Sequence, residues 1–324
     1  MLGGVNYHLK LCNVDSAFGR IAMLRSFLCA ILFLGILLFA PTTPFAASGE
    51  SFTVGKVRVT ALQDMPGEMD ISIFRGADEA VMKPLLPSGK APAGVNVFLV
   101  QSDSGNMLVD TGYGTNAAER KSALPELLSL YGLSPESVDT VLLTHMHGDH
   151  IGGLVSDGKP FFPNAAVLVS KKELDFWTAP QTLADKPGLA NNIRMVETMC
   201  KVYGDKVKAF GFEETVVPDI TALAALGHTP GHTMFLLESE GEKMLFWGDL
   251  VHAAALQFAH PEICAIYDMY MPGAIQTRRA VFEKAAQENL RVAGAHLPFP
   301  AVGKVSKIEG GEYSLQLEKT SPAK

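Results

Sequence analysis

Basic residues are in the minority in this chain, with 27 lysines and arginines against 34 aspartates and glutamates and a formal net charge of −7. No long basic run offsets this deficit. A nucleic-acid interface needs a basic patch or stripe, so we expect no nucleic-acid partner. The 48% hydrophobic content with 19% charged residues excludes a largely disordered chain, and 324 residues are enough for one large domain or two modest ones.

Cysteines are also few, and none of the four forms a CxxC pair, which excludes a cysteine-based metal knuckle. Cys12 and Cys29 lie in the N-terminal segment. Cys200 and Cys264 lie in the rest of the chain, and the sequence leaves open whether they form a disulfide or stay as two buried thiols.

No apolar run reaches the ~20 residues that span a bilayer. The run FLCAILFLGILLFA at 27–40 has 14 residues, follows Arg20 and Arg25, and precedes PTTPFAAS. This order is typical of a secretory signal, so we predict a signal peptide over residues 1–48, with Met23 as an alternative start. The mature domain would then be 49–324, periplasmic or secreted, without a stable membrane anchor.

Strand and helix patterns alternate along the mature part without an obvious linker. We predict strands at 52–62, 95–101, 106–110, 138–143, 165–170, 220–226, 233–239, 243–248 and 313–318, with a short strand ending near 296, and helices at 116–131, 171–177, 189–203 and 275–289. This order predicts one domain of mixed sheets and helices.

The stretch LLTHMHGDHIGG at 142–153 places four ligand-type side chains within six residues, at the end of a predicted strand. An extended backbone would put His145 and His147 on one side, and a bend at Gly148 would present Asp149 and His150 separately. A lone histidine is usually a hydrogen-bonded polar group, but this density is typical of a site for two adjacent metals.

Three more candidate ligands each follow an apolar, strand-like segment: His232 in LGHTPGHT, Asp249 in LFWGDL and His296 in AGAHLPFP. Together with the cluster they make five histidines and two carboxylates, enough for two metals that share a bridging group. His228 precedes the turn signal at Pro230, so we interpret it as a supporting or structural residue.

At these residues the chain resembles the metallo-β-lactamase-fold hydrolase superfamily, whose signature HxHxDH it matches. The segments FPNAAVLVSKKELDFW and AHLPFPAVG are similar to the methyl parathion hydrolase group of organophosphate hydrolases and lactonases. The resemblance implies an α+β fold: a four-layer αβ/βα sandwich of two mixed β-sheets flanked by helices. It also implies a first metal on His145, His147 and His232, a second on Asp149, His150 and His296, and Asp249 as the bridge.

The resemblance also implies a function, an exported dinuclear hydrolase in which a metal-bridging hydroxide attacks a small ester, either a phosphotriester or a lactone. Asp149 and Asp249 would be the catalytic side chains, with Asp149 guiding a proton to the leaving group and Asp110 supporting the site. We expect two divalent ions, zinc first, although manganese, iron, cobalt or nickel would accept the same ligands. The substrate pocket would include Trp177, His252, Phe258, Tyr267 and Phe299.

Several alternatives stay open at this point. The chain could be a thioester hydrolase, a phosphodiesterase or nuclease of the same superfamily, or a non-catalytic metal-binding member. A homodimer is compatible with the sequence, which does not define the oligomeric state.

Overall fold

Two seven-stranded sheets make up most of the protein. The computed structural model describes residues 49–114 and 122–318, which belong to one compact unit. The predicted signal peptide lies outside the described residues and stays a prediction.

The strands, in chain order, are β1 (Gly49–Val54), β2 (Val57–Met65), β3 (Glu68–Asp70), β4 (Phe74–Arg75), β5 (Lys90–Pro92), β6 (Val95–Ser102), β7 (Gly105–Val109), β8 (Thr140–Leu142), β9 (Val155–Ser156), β10 (Lys159–Pro160), β11 (Ala166–Ser170), β12 (Val207–Phe210), β13 (Glu214–Val217), β14 (Ile220–Ala224), β15 (Thr233–Ser239), β16 (Glu242–Phe246), β17 (Cys264–Ala265), β18 (Arg291–Ala293), β19 (Val302–Lys307) and β20 (Tyr313–Leu317). The first sheet has the order β1-β2-β6-β7-β8-β11-β12 and the second has the order β13-β14-β15-β16-β18-β19-β20. Both sheets are mixed, because β7, β8, β11 and β12 run parallel in the first and β16 and β18 run parallel in the second.

The helices are α1 (Glu79–Leu85), α2 (Leu124–Leu130), α3 (Gly148–Ile151), α4 (Lys171–Thr178), α5 (Pro180–Asp185), α6 (Ala190–Tyr203), α7 (Ala254–Gln257) and α8 (Met271–Gln287). Within the described ranges, none of these helices combines the length and the apolar content that a bilayer span requires.

The two faces of the first sheet contribute side chains to two different hydrophobic cores. Phe98 and Val100 belong to the core shared with the second sheet, whereas Val97 and Leu99 belong to the core under α2, α4 and α6. Successive residues of a strand point to opposite faces, so an uninterrupted apolar strand can be buried on both sides. Phe282 of α8 packs with the second sheet. The result is the predicted order of layers: helices, sheet, sheet, helix.

The predicted elements agree with these bounds to within a few residues, with three differences. The strand predicted at 52–62 is two strands, since the chain reverses at Gly55, whose φ is +55°. The helix predicted at 116–131 is described only from Leu124, because residues 115–121 lie outside the described residues. Several strands were not predicted from the sequence, among them β12, β13 and β19 of the two large sheets.

The two cysteines among the described residues are free thiols. Cys200 is half-buried, and Cys264 is buried with its thiol directed at the carbonyl oxygen of Met271, 3.7 Å away. Burial raises the pKa of the Cys264 thiol to about 11. Cys200 and Cys264, whose pairing the sequence left open, therefore do not form a disulfide in this structure.

Candidate metal centre

The ligand-type side chains follow strands that end at neighbouring points of the two sheets. In the first sheet β7 and β8 run parallel, with Val109 opposite Leu142. In the second sheet β16 and β18 run parallel, with Phe246 opposite Ala293. Since the carboxyl ends of parallel strands share an edge, the loops that follow these four strands meet there.

The HMHGDH segment changes conformation at its centre. His147 has φ −70° and ψ 157°, an extended conformation, and directly precedes the short helix α3. His147 therefore lies in extended backbone, while Asp149 and His150 lie on the helical turn of α3. The separation of the cluster into two pairs, which the sequence predicted, is confirmed.

The first group of candidate ligands consists of His145, His147, His228 and Asp249, whose ligand atoms all lie within 4.8 Å of one another. His228 Nε2 lies 3.1 Å from His145 Nε2 and 2.9 Å from His147 Nδ1. His145 Nε2 and His147 Nδ1 are 3.0 Å apart. Three imidazole nitrogens and a carboxylate oxygen thus converge on one point.

The second group consists of Asp149, His150 and His296. His296 Nε2 lies 3.4 Å from Asp149 Oδ2, and His150 Nε2 lies 3.7 Å from Asp149 Oδ1. Asp249 joins the two groups: its Oδ1 is 3.1 Å from His150 Nε2, and its Oδ2 is 3.1 Å from His296 Nε2 and 3.4 Å from His228 Nε2. This position is the one expected of a bridging carboxylate.

Most of the candidate histidines are held by a partner on the nitrogen that faces away from the centre. His228 Nδ1 is 2.8 Å from Asp268 Oδ1, and His150 Nδ1 is 2.8 Å from Asp110 Oδ2. His296 Nδ1 lies 2.8 Å from the carbonyl oxygen of Gly94. Such partners set the tautomer and orientation of metal-binding imidazoles. Asp110 lies in the supporting position expected from the sequence, whereas Asp268 was not predicted to hold a histidine.

His232 is not part of either group, and here the sequence-based assignment was wrong. Both of its nitrogens are engaged: Nδ1 with the carbonyl oxygen of Ala225 at 3.0 Å, and Nε2 with the backbone N–H of Asp249 at 3.2 Å. His228 takes the place predicted for His232. His228 lies in the loop after β14 and His232 directly precedes β15, and the contacts that separate their roles are made with Asp268 and Asp249.

The backbone before Asp249 depends on a glycine. Gly248 has φ +53°, a conformation that side chains disfavour. A Cβ atom there would lie 2.5 Å from His232 Nε2 and 2.8 Å from Thr144 Cβ. His232 and Gly248 together place the Asp249 carboxylate between the two groups.

Burial favours the neutral form of His145 and His147 by lowering the pKa of each. It lowers the pKa of His145 and His147 well below the usual range, with further lowering by His150 beside His145 and by His228 beside His147. A neutral imidazole has the free lone pair that a metal ligand requires.

Two buried polar atoms lie where the two groups meet, and they indicate whether these residues could hold cations. Among the described residues, His150 Nε2 and Asp249 Oδ1 are buried, and although they lie 3.1 Å apart neither has a partner with hydrogen-bond geometry. Burying such groups unpaired is unfavourable by a few kcal/mol each, so orphaned atoms in a native site call for a partner. Histidine nitrogens and carboxylate oxygens suit zinc and the neighbouring transition metals. The residues present fit two divalent cations.

The two groups lie at the base of a cleft of about 530 Å³. Its described wall combines polar side chains with apolar ones, the latter including Met65, Met69, Ile73, Leu189 and Met195. Glu68 and Asp70 add two acidic groups to the same wall. The size lies within the range of small-molecule sites.

Two of the five predicted pocket residues line this cleft, namely His252 and Tyr267. Tyr267 is 48% exposed. His252 is buried, its ring stacks on His296 with centroids 5.4 Å apart, and its Nε2 lies 3.2 Å from Asp249 Oδ2. A substrate contact by either residue stays a prediction.

The other three predicted pocket residues lie elsewhere. Trp177 is fully buried, donates its Nε1–H to Glu173 Oε1 at 2.7 Å, and meets the His147 ring edge-on from behind. Phe258 stacks on Phe282 in the core, with centroids 4.6 Å apart. Phe299 packs against the same core and is not part of the cleft lining. Core packing, rather than substrate contact, accounts for all three.

Two solved structures with a similar fold align with this chain over almost their whole length. The crystal structure of the hydrolase AbOPH in the beta-lactamase superfamily aligns with a TM-score of 0.79 and 30% identity, over 85% of this chain and 99% of that chain. AidC, a dizinc quorum-quenching lactonase in complex with the product N-hexnoyl-L-homoserine, aligns with a TM-score of 0.78 and 26% identity over the same shares.

Sequence relatives cover less of their own length. Metallo-beta-lactamase domain-containing protein 1 of Mus musculus is 38% identical over 104 residues, which is 32% of this chain and 36% of that protein. The chain thus spans about a third of that relative. A sequence model of the metallo-beta-lactamase superfamily matches residues 91–296, well over half of the chain and the range that holds both ligand groups. The chain belongs to the metallo-β-lactamase superfamily.

Proposed function

We propose that this protein is a hydrolase of small neutral esters, a lactone or a phosphotriester, and that it works with two divalent cations. The observation that carries the proposal is the position of Asp249, between two separate ligand groups at the base of one cleft. A single structural metal would not need a second complete group or an opening to solvent.

Two cations held by these groups would acidify a water molecule and polarise the ester oxygen. The chain's own part is to hold the seven side chains in place. Asp268, Asp110 and the Gly94 carbonyl oxygen orient three imidazoles, so little rearrangement is needed when a substrate arrives.

The cleft supports a small neutral substrate. Its methionine and leucine side chains suit an acyl or alkyl group. Glu68 and Asp70 on the wall would repel a polyanion, which supports an ester over a nucleic-acid strand. The likeness to AidC supports a lactone, and the likeness to the hydrolase AbOPH supports a hydrolytic reaction more generally.

The experiment that tests the proposal is a panel assay of cation-reconstituted protein. The panel holds an N-acyl homoserine lactone, a phosphotriester, a thioester, a β-lactam and single-stranded RNA. We expect turnover of the lactone or the phosphotriester and none of RNA. Inactivity on every ester, with two cations bound per chain, would instead support a non-catalytic metal-binding protein.

Asp149 is the candidate proton carrier, because its side chain is 18% exposed and lines the cleft, whereas Asp249 is buried. We expect Asp149→Asn to lower kcat by about 10²-fold or more, a typical contribution of general acid–base catalysis. The loss should grow as the leaving group becomes more basic. A series of aryl esters, with cation content measured for each preparation, checks this. Full turnover with both cations retained would contradict the proton role.

A further inference from the structure

Glu173 is a fully buried carboxylate that no part of the proposed chemistry uses. It lies on α4 and accepts four hydrogen bonds, all from neutral donors. The donors to Oε1 are the backbone N–H of Met146 at 3.0 Å and the indole N–H of Trp177 at 2.7 Å. The donors to Oε2 are the hydroxyl of Thr229 at 2.7 Å and the backbone N–H of Gly231 at 2.8 Å.

The two oxygens of Glu173 therefore hold two different loops. Met146 stands between His145 and His147 in the loop that follows β8. Thr229 directly follows His228 in the loop that follows β14. These loops come from opposite sheets, and they supply the three imidazoles of the first group.

The start of α4 is fitted to the second of these loops. The Ser170 hydroxyl donates to the Gly231 carbonyl oxygen at 2.7 Å and accepts from the backbone N–H of Glu173 at 3.2 Å. A Cβ atom on Gly231 would lie 2.2 Å from the Glu173 nitrogen, so only glycine permits this approach. On the other side, Asn192 Nδ2 donates to the Met146 carbonyl oxygen at 2.6 Å. The peptide between His145 and His147 is thus held from both sides.

We propose that Glu173 is a positioning residue that sets the spacing of His145 and His147 against His228, and thereby the cation affinity of the first group. The inference rests on the proposed function, since it assumes that the first group binds a cation. A carboxylate suits this place because it is acceptor-only and offers two oxygens, one for each loop. A glutamine keeps the shape but turns one acceptor into a donor that faces two other donors.

The test is a Co²⁺ titration of the metal-free protein, followed by visible absorption, for wild type and Glu173→Gln. Two binding phases are expected in wild type, and the phase that is lost in His228→Ala identifies the first group. In Glu173→Gln we expect the Co²⁺ affinity of that phase to fall by about 10- to 100-fold. This is the usual effect of losing a residue that holds a metal ligand in place. The Co²⁺ affinity of the other phase, assigned to Asp149, His150 and His296, should stay within threefold of wild type.

Tyr203→Phe is the matched control. Its hydroxyl donates to the Leu154 carbonyl oxygen and accepts from the Phe162 N–H in the same helical layer, so these two hydrogen bonds involve neither Met146 nor the loop with His228. It should lower stability without changing the ratio of the two phases. If Glu173→Gln leaves both phases unchanged, or weakens both equally as general loosening would, the positioning role is wrong.

Thr229→Val gives a milder version of the test should Glu173→Gln fail to fold. It removes one of the four donors, so we expect a smaller weakening, confined to the same phase, and an unchanged phase would overturn the inference. Wild-type protein that binds no Co²⁺ would overturn the proposed function itself, a result distinct from any difference between variants.

Discussion

Replacing His228 with alanine is expected to remove the first cation and to lower kcat/KM by about 10³-fold or more. Three imidazoles and Asp249 define the first group, and His228 Nε2 is within 3.4 Å of a ligand atom of each of the other three. Cations stabilise a hydrolytic transition state by several kcal/mol, and each 1.36 kcal/mol corresponds to a factor of ten. Elemental analysis after gel filtration should find about one cation per chain instead of two.

The matched variant is His232→Ala, four residues away in the same loop. It removes two hydrogen bonds to backbone groups, with Ala225 and Asp249, so we expect a loss of about 1–3 kcal/mol in the free energy of unfolding. Both cations should stay bound. The opposite pattern, with cation loss in His232→Ala and a full complement in His228→Ala, would restore the assignment made from the sequence.

Asp249→Asn is expected to have an effect at least as large, because this carboxylate serves both groups. An amide retains one acceptor oxygen and places an N–H donor against either His150 Nε2 or His296 Nε2. It also removes the negative charge shared by two cations. We expect fewer than two cations per chain and a fall in kcat/KM of about 10³-fold or more.

Asp175→Asn is a control of the same chemistry outside the site. Asp175 forms an exposed ion pair with Lys171, and removing such a pair changes stability by at most about 1 kcal/mol. Its turnover and cation content should match wild type. If Asp249→Asn behaved like this control, Asp249 would not be the bridge.

The local part of the site could be predicted from the sequence because its geometry is set over a few residues. In HMHGDH, two histidines spaced two residues apart are followed by a glycine and a helical turn. This pattern can be recognised in the sequence without knowledge of any tertiary contact. Asp249 and His296 were found by a similar rule, that functional side chains follow the strands of a sheet.

The choice between His228 and His232 depended on tertiary contacts. Both residues lie between β14 and β15, and the sequence does not show that Asp268 comes close to one of them and Ala225 to the other. Glu173 was not singled out for the same reason, since its partners Met146 and Gly231 are 27 and 58 residues away in the chain.

Three of the aromatic residues predicted for the pocket, Trp177, Phe258 and Phe299, do not line the cleft, and the reason is related. An apolar side chain such as Trp177 or Phe258 gives the same signal whether it faces a substrate or a core. The layers of the fold were easier to predict, because apolar strands such as β6 are buried on both faces in any sandwich with outer helices.

Each cation position takes ligands from both sheets: His145 and His147 with His228 in one case, and Asp149 and His150 with His296 in the other. Bound ions would therefore link the two sheets of the sandwich directly. Because they bind the native chain and not the unfolded one, their binding free energy adds to the resistance of the fold to heat and denaturant. The candidate metal centre would then stabilise the contact between the two sheets, and removal of the ions would lower the stability of the fold together with the activity.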